Sequence, residues 1–214
     1  MGMNRFIKYF SFFFGISLFF LGCFGSSPPR DRIRFYTLEY NPPMFQGFKE
    51  QPCVIKVQRF SINPIYNTTR IVYEHESSTR DDYVFHRWRA NPADMVTQLL
   101  ERDFRKSGVF KAVLDEDSRF PYTHILEGSV DEFLESDSQK IWQAILTISI
   151  TLMKEDGLDI VKGILLQKTY NARIDLNKNN PRALSEAMSR AMAEVSEKII
   201  RDIHDCVGNH EPGQ

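Results

Sequence analysis

The chain has 214 residues, 27 basic and 28 acidic side chains and a net charge of −1. It lacks the basic footprint a nucleic-acid-binding protein uses to neutralise phosphates, so no nucleic-acid partner is expected. The same balance argues against attachment to anionic headgroups by charge alone, while the length suits one domain with a real core.

The N-terminus reads as a targeting segment. Arg5 and Lys8 are its only charges before an apolar run over residues 9–21, YFSFFFGISLFFL. That run is shorter than the roughly 20 residues of a comfortable transmembrane helix and suits the apolar region of a secretory signal. It ends at Phe20-Leu21-Gly22-Cys23. A small residue before a cysteine at this place resembles the lipobox of bacterial lipoproteins, although the lipobox usually has leucine in place of Phe20 and a small residue in place of Leu21. The resemblance implies cleavage of residues 1–22 and acylation of Cys23. Residues 23–32 are then the lipidated cysteine and a tether containing Ser26-Ser27-Pro28-Pro29. The mature chain would have 214 − 22 = 192 residues, and losing Arg5 and Lys8 would take its charge from −1 to −3. In enteric-type sorting, aspartate after the lipidated cysteine retains a lipoprotein in the inner membrane. Phe24 stands there, so the periplasmic face of the outer membrane is expected. The alternatives are an uncleaved anchor helix and an ordinary signal with an incidental cysteine.

Residues 33–40, IRFYTLEY, read as a first strand, stopped by Asn41-Pro42-Pro43 because tandem prolines cannot continue a ladder. Residues 53–60 alternate apolar and polar and read as a second strand. Residues 70–75 and 82–88 read as a hairpin about the turn cluster Ser77-Ser78-Thr79. Asn91 can cap a helix, Pro92 suits its first turn and Asp94 its positive end. The helix is expected to run to about Lys106, with a stripe of Met95, Val96, Leu99, Leu100 and Phe104 and a stop at Gly108.

The middle of the chain is strand-rich. A short strand is expected over 109–114 and long ones over 122–135, 140–154 and 159–176, forming an antiparallel meander. In residues 140–154, Trp142, Ala144, Leu146, Ile148, Ile150 and Leu152 share one face. Asn180 and Pro181 open a second helix whose stripe runs from Leu184 to Cys206. Gly208 is expected to end it, leaving residues 208–214 as a mobile tail. Residues 33–207 thus form a single α+β domain of two layers, an antiparallel sheet packed with two amphipathic helices. The opposite sheet face is left exposed or for a partner.

Catalytic and metal motifs are missing. His75, His86, His124, His204 and His210 form no HExxH and no close pair with cysteine, and no GxSxG, Walker A or GxGxxG occurs. The reading is therefore a non-enzyme with no metal and no cofactor beyond the covalent lipid on Cys23. Cys53 and Cys206 are either a disulfide formed in an oxidising envelope or two buried apolar thiols.

The order of motifs resembles the ABC-type transport auxiliary lipoproteins, a family that includes the paraquat-inducible-type lipoproteins accompanying MCE (mammalian cell entry) proteins. The resemblance covers nearly the whole mature chain. After the lipidated cysteine and tether come Tyr36-Thr37-Leu38, then Val54-Ile55-Lys56-Val57, then Arg70-Ile71-Val72-Tyr73, then Arg87-Trp88 before a proline-started helix. Glu74 departs from the basic residue usual after the tyrosine. The resemblance implies docking of an MCE-protein conduit at the outer membrane. An ABC permease and ATPase would stand at its other end, phospholipid or another hydrophobic solute would be the cargo, and self-association into a homo-oligomer is a further implication. Arg87 and Trp88 are the candidate partner-binding residues, because Arg and Trp are enriched at binding hot spots. The competing reading has Trp88 plugging the helix–sheet junction and Arg87 forming a surface ion pair. An outer-membrane assembly or structural adaptor not tied to a transporter is the alternative function.

Overall fold

The computed structural model describes residues 32–75, 79–138, 141–155 and 163–210. Cys23 and the expected signal lie outside the described residues. The chain divides between Arg32 and Ile33, and the account below concerns the part from Ile33 onward.

Its strands are β1 (Arg34–Tyr36), β2 (Gln51–Val57), β3 (Ser61–Ile62), β4 (Arg70–His75), β5 (Thr79–Trp88), β6 (Phe110–Leu114), β7 (His124–Ser138), β8 (Ile141–Lys154) and β9 (Ile164–Asp175). Helix α1 is Pro92–Ser107 and α2 is Pro181–His210. A 3₁₀ turn covers Pro64–Tyr66. The fold is α+β, as the hydrophobic periodicities predict.

The three long strands β7, β8 and β9 form the expected antiparallel meander. The sheet as a whole is mixed, which corrects the expectation of a purely antiparallel one. Three short strands lie along the second edge of β7, and β2, β3 and β4 all pair with it in parallel. Parallel neighbours need a long crossover, and here β5, α1 and β6 intervene between β4 and β7. Beyond them, β6 adds parallel to β2, β5 adds antiparallel to β4, and β1 adds parallel to β5.

The expected first strand is cut from eight residues to three. After Tyr36 the chain leaves the sheet and follows α2. Ser185 Oγ donates to the Thr37 carbonyl, the Glu39 amide donates to Ser189 Oγ, and His204 Nε2 lies 2.9 Å from the Lys49 carbonyl. From Ser185 to His204 is about 28 Å of helix at the usual rise. A strand cannot both pair with β5 and reach these groups.

Both helices begin and pack as their sequences direct. The Asn91 side chain accepts from the Ala93 amide, and Asn180 Oδ1 accepts from the Ala183 amide. Gly108 closes α1 with φ 67°, a left-handed conformation that costs glycine little. On α2 the residues Leu184, Ala187, Met188, Ala191, Val195, Ile199 and Ile203 are all buried. Its outer face carries the ion pairs Glu194–Lys198 and Glu197–Arg201 at four-residue spacing.

The second helix continues through Gly208 to His210, a correction to the stop expected at Gly208. A glycine ends a helix when it turns left-handed, and Gly208 does not; among described glycines only Gly47 and Gly108 have positive φ. Burial of Val207 and the approach of the Gln51 side chain hold the last turn against the domain.

Two bulges decide which side chains face the helices. In β7, Val130 pairs with Ile148 and Glu132 with Thr147, so Asp131 is an extra residue. Before it, Leu126 and Val130 point inward; after it, Phe133 and Glu135 do. In β5, Asp82 pairs with Val72 and Arg87 with Arg70, so residues 83–86 oppose Ile71 alone.

Candidate docking surface

The outer end of the sheet, where β1 adds to β5, is built on the second bulge. Four β5 residues opposite one cannot all pack. Tyr83 and His86 turn inward, while Val84 and Phe85 are 69% and 42% exposed. Beside them Ile33 and Phe35 are 43% and 50% exposed. Phe35 is the register partner of Arg87 and lies under the Arg89 guanidinium, 5.1 Å from the ring centroid.

The inward side of this end is a chain of polar aromatics. Tyr36 Oη and His86 Nδ1 lie 2.9 Å apart. His86 meets the Tyr83 ring edge-on at 5.7 Å, and Tyr83 meets Tyr73 at 5.1 Å. The Tyr83 hydroxyl donates to Oε2 of Glu135 at 3.1 Å. Burial, and then the Arg34 charge, lower the His86 pKa. Burial, reinforced by Glu135, raises that of the Tyr83 phenol.

Glu135 has no solvent exposure, and its Oε1 has no hydrogen-bond partner among the described residues. Burial pushes its carboxyl up to about 7, with Asp137 adding to the rise and the Tyr83 hydrogen bond opposing it. Sequence alternation alone would place Glu135 outward with Glu127 and Asp131. The bulge at Asp131 reverses that, and no signal in the sequence marks a bulge there.

Arg87 and Trp88 do not stand together on a surface. Trp88 is 1% exposed, its ring edge-on to Phe133 at 5.2 Å and its amide donating to the Thr69 carbonyl. Its side chain belongs to the hydrophobic core, as in the competing reading of this residue. Arg87 is half-buried between β1 and β4, and its Nε has no hydrogen-bond partner among the described residues.

Cys53 is a buried thiol on β2. Cys206 is a half-buried thiol on α2, with Sγ 3.4 Å from the Leu165 carbonyl; burial raises its pKa. No group of three or more His, Cys, Asp or Glu among the described residues could hold a metal ion.

The sheet face away from the helices is polar over β7, β8 and β9. Ser149 joins Asp131 and Thr169, Thr147 joins Glu132 and Asn171, and Gln167 reaches Thr151. These groups satisfy one another, which leaves an open polar surface. No described helix is long and apolar enough to cross a membrane.

Among solved structures, the chain is similar to a protein of Xanthomonas campestris at 16% identity, with a TM-score of 0.71 over 83% of this chain and 97% of that one. It is also similar to an uncharacterised protein at 10% identity, with a TM-score of 0.64 over 80% and 99%. A hypothetical protein of Chlamydia trachomatis is similar at 9% identity, with a TM-score of 0.53 over 75% and 100%. These likenesses concern the fold. No curated protein matches the chain. A family match covers residues 36–200, from Tyr36 on β1 to Ile200 on α2. The chain is a member of the family of ABC-type transport auxiliary lipoprotein components.

Proposed function

We propose that this chain is the lipid-anchored docking component of an ABC/MCE-type transport system, held at the periplasmic face of the outer membrane through Cys23. The observation that carries the reading is the family match over residues 36–200, which takes in nearly all of the described domain. The family's description supports an auxiliary role beside a transporter. The Gly22-Cys23 pair after an apolar run supports the anchor.

In this reading ATP hydrolysis by the transporter supplies the energy, and an MCE protein carries a phospholipid or similar apolar solute between the membranes. The domain gives that conduit a fixed landing point, and self-association would multiply it.

Crosslinking of intact envelopes followed by purification of this protein tests the proposal. Recovery of an MCE protein, together with loss of membrane attachment in Cys23→Ser, is the expected result. Co-purification with an outer-membrane barrel or peptidoglycan, and no MCE protein, would favour a structural adaptor instead.

A further inference from the structure

Nine large apolar side chains are exposed among the described residues, and most are scattered singly, as on any protein. Four are not. Ile33, Phe35, Val84 and Phe85 lie at one edge of the sheet, on β5 and on the first residues of the domain. Exposed apolar side chains grouped in this way mark contact surfaces.

Three arginines flank them, with Glu39 and Glu186 set back along the depression between Phe35 and the start of α2. Arg34 and Arg89 are exposed on the same two segments, and Arg182 lines the depression between β1 and the start of α2. The nearest acid on β5, Asp82, is neutralised by Arg70 at 2.9 Å. Apolar side chains flanked by arginine suit the boundary between acyl chains and anionic headgroups.

The length of chain before the patch says what it meets. Cys23 is nine residues before Arg32. Fully extended, that segment spans about 30 Å. A folded domain of this size is about 40 Å across, so the anchor cannot reach the far side of the molecule. β1 is the element where the tether enters, and Phe35 is on it. Anchoring therefore presents this edge to the bilayer at high effective concentration, and a weak surface contact suffices.

We propose that Ile33, Phe35, Val84 and Phe85 form a bilayer-contacting patch, with the neighbouring arginines at the headgroups, which sets the orientation of the domain on the membrane. The proposal rests on the reading of Cys23 as the anchor. In that orientation the β1 edge faces the bilayer.

The test uses the full-length lipoprotein reconstituted in vesicles of phosphatidylethanolamine and phosphatidylglycerol with brominated acyl chains. Phe85→Trp and Val84→Trp each place a fluorophore in the patch. Phe120→Trp places one at a remote site of 74% exposure. The expected result is roughly two-fold or greater quenching of the added fluorescence in the patch variants and little in the remote one. Flotation of the same samples reports the anchor separately. Protein that floats while the patch tryptophans remain unquenched overturns the patch alone. Protein that does not float overturns the anchor and, with it, the proposal.

Discussion

The Tyr40 hydroxyl donates a 2.6 Å hydrogen bond to Oδ2 of Asp103, a carboxylate with no exposure to solvent. Ser196 Oγ donates to the same oxygen at 2.7 Å, and Arg102 Nε donates to Oδ1 at 2.9 Å. One buried acid thus joins the segment after β1 to both helices. Burial, and then the Asp103 charge, raise the Tyr40 phenol, so it stays a donor.

Tyr40→Phe removes one of three donors from a charge that cannot reach water. It is expected to lower the unfolding free energy by about 1–2 kcal/mol. It should also speed amide exchange in residues 37–50. Urea unfolding and hydrogen exchange check this, and unchanged values for both would show that Ser196 and Arg102 satisfy the acid unaided.

Glu135 makes stability depend on pH. Its carboxyl is raised to about 7 in the fold, from an ordinary value of 4.5. Between those values the folded chain keeps a proton that the unfolded chain has released. Stability therefore falls as pH rises through this window and levels off above it, a loss of up to about 3 kcal/mol. Glu135→Gln keeps the shape and stays neutral, so it should flatten this dependence and stabilise the protein most on the alkaline side. Unfolding curves measured across the window decide the matter, and parallel pH profiles for the two proteins would refute it.

Gly128 has no room for a side chain. A Cβ there would sit 2.2 Å from Phe60 Cε1 and 2.6 Å from the Ser149 carbonyl oxygen. The second neighbour is backbone of the paired strand and cannot swing aside. Gly128→Ala is expected to cost about 1–3 kcal/mol. A double variant with Phe60→Leu should recover only part of that loss, since the carbonyl remains; full recovery in thermal melts would mean that the strand yields.

The two cysteines of the domain differ in reactivity. Cys206 is half-buried with a raised pKa, so it should react slowly with iodoacetamide in native protein near neutral pH. Cys53 is wholly buried and should react only on unfolding. Mass spectrometry of protein denatured without reductant should find both labelled. Labelling of neither until a reductant is added would establish a Cys53–Cys206 bridge.

The patterns that needed only neighbours in sequence were legible without a structure. Asn91-Pro92 and Gly108 bound the first helix within a residue, because caps and left-handed stops depend on local backbone. The alternation from Ala144 to Leu152 marks β8, because its inner face meets a continuous core. The family resemblance rests on the same order of short motifs. What could not be read was strand pairing. Nothing in residues 51–75 says that β2, β3 and β4 line up in parallel along one edge of β7.

By itself, then, the sequence determined the lipobox-like Cys23, the α+β class, both helix starts and the end of α1, all properties of short windows. The tertiary structure alone decided where Arg87, Trp88, Glu135 and Phe85 lie. The bulge at Asp131 reverses the faces of β7 and buries an acid. The bulge in β5 turns Val84 and Phe85 to the surface beside the domain's first strand, while Trp88 goes into the core. A one-residue change of register moves every later side chain to the other face, and register is set by the paired strand rather than by the residues that carry it.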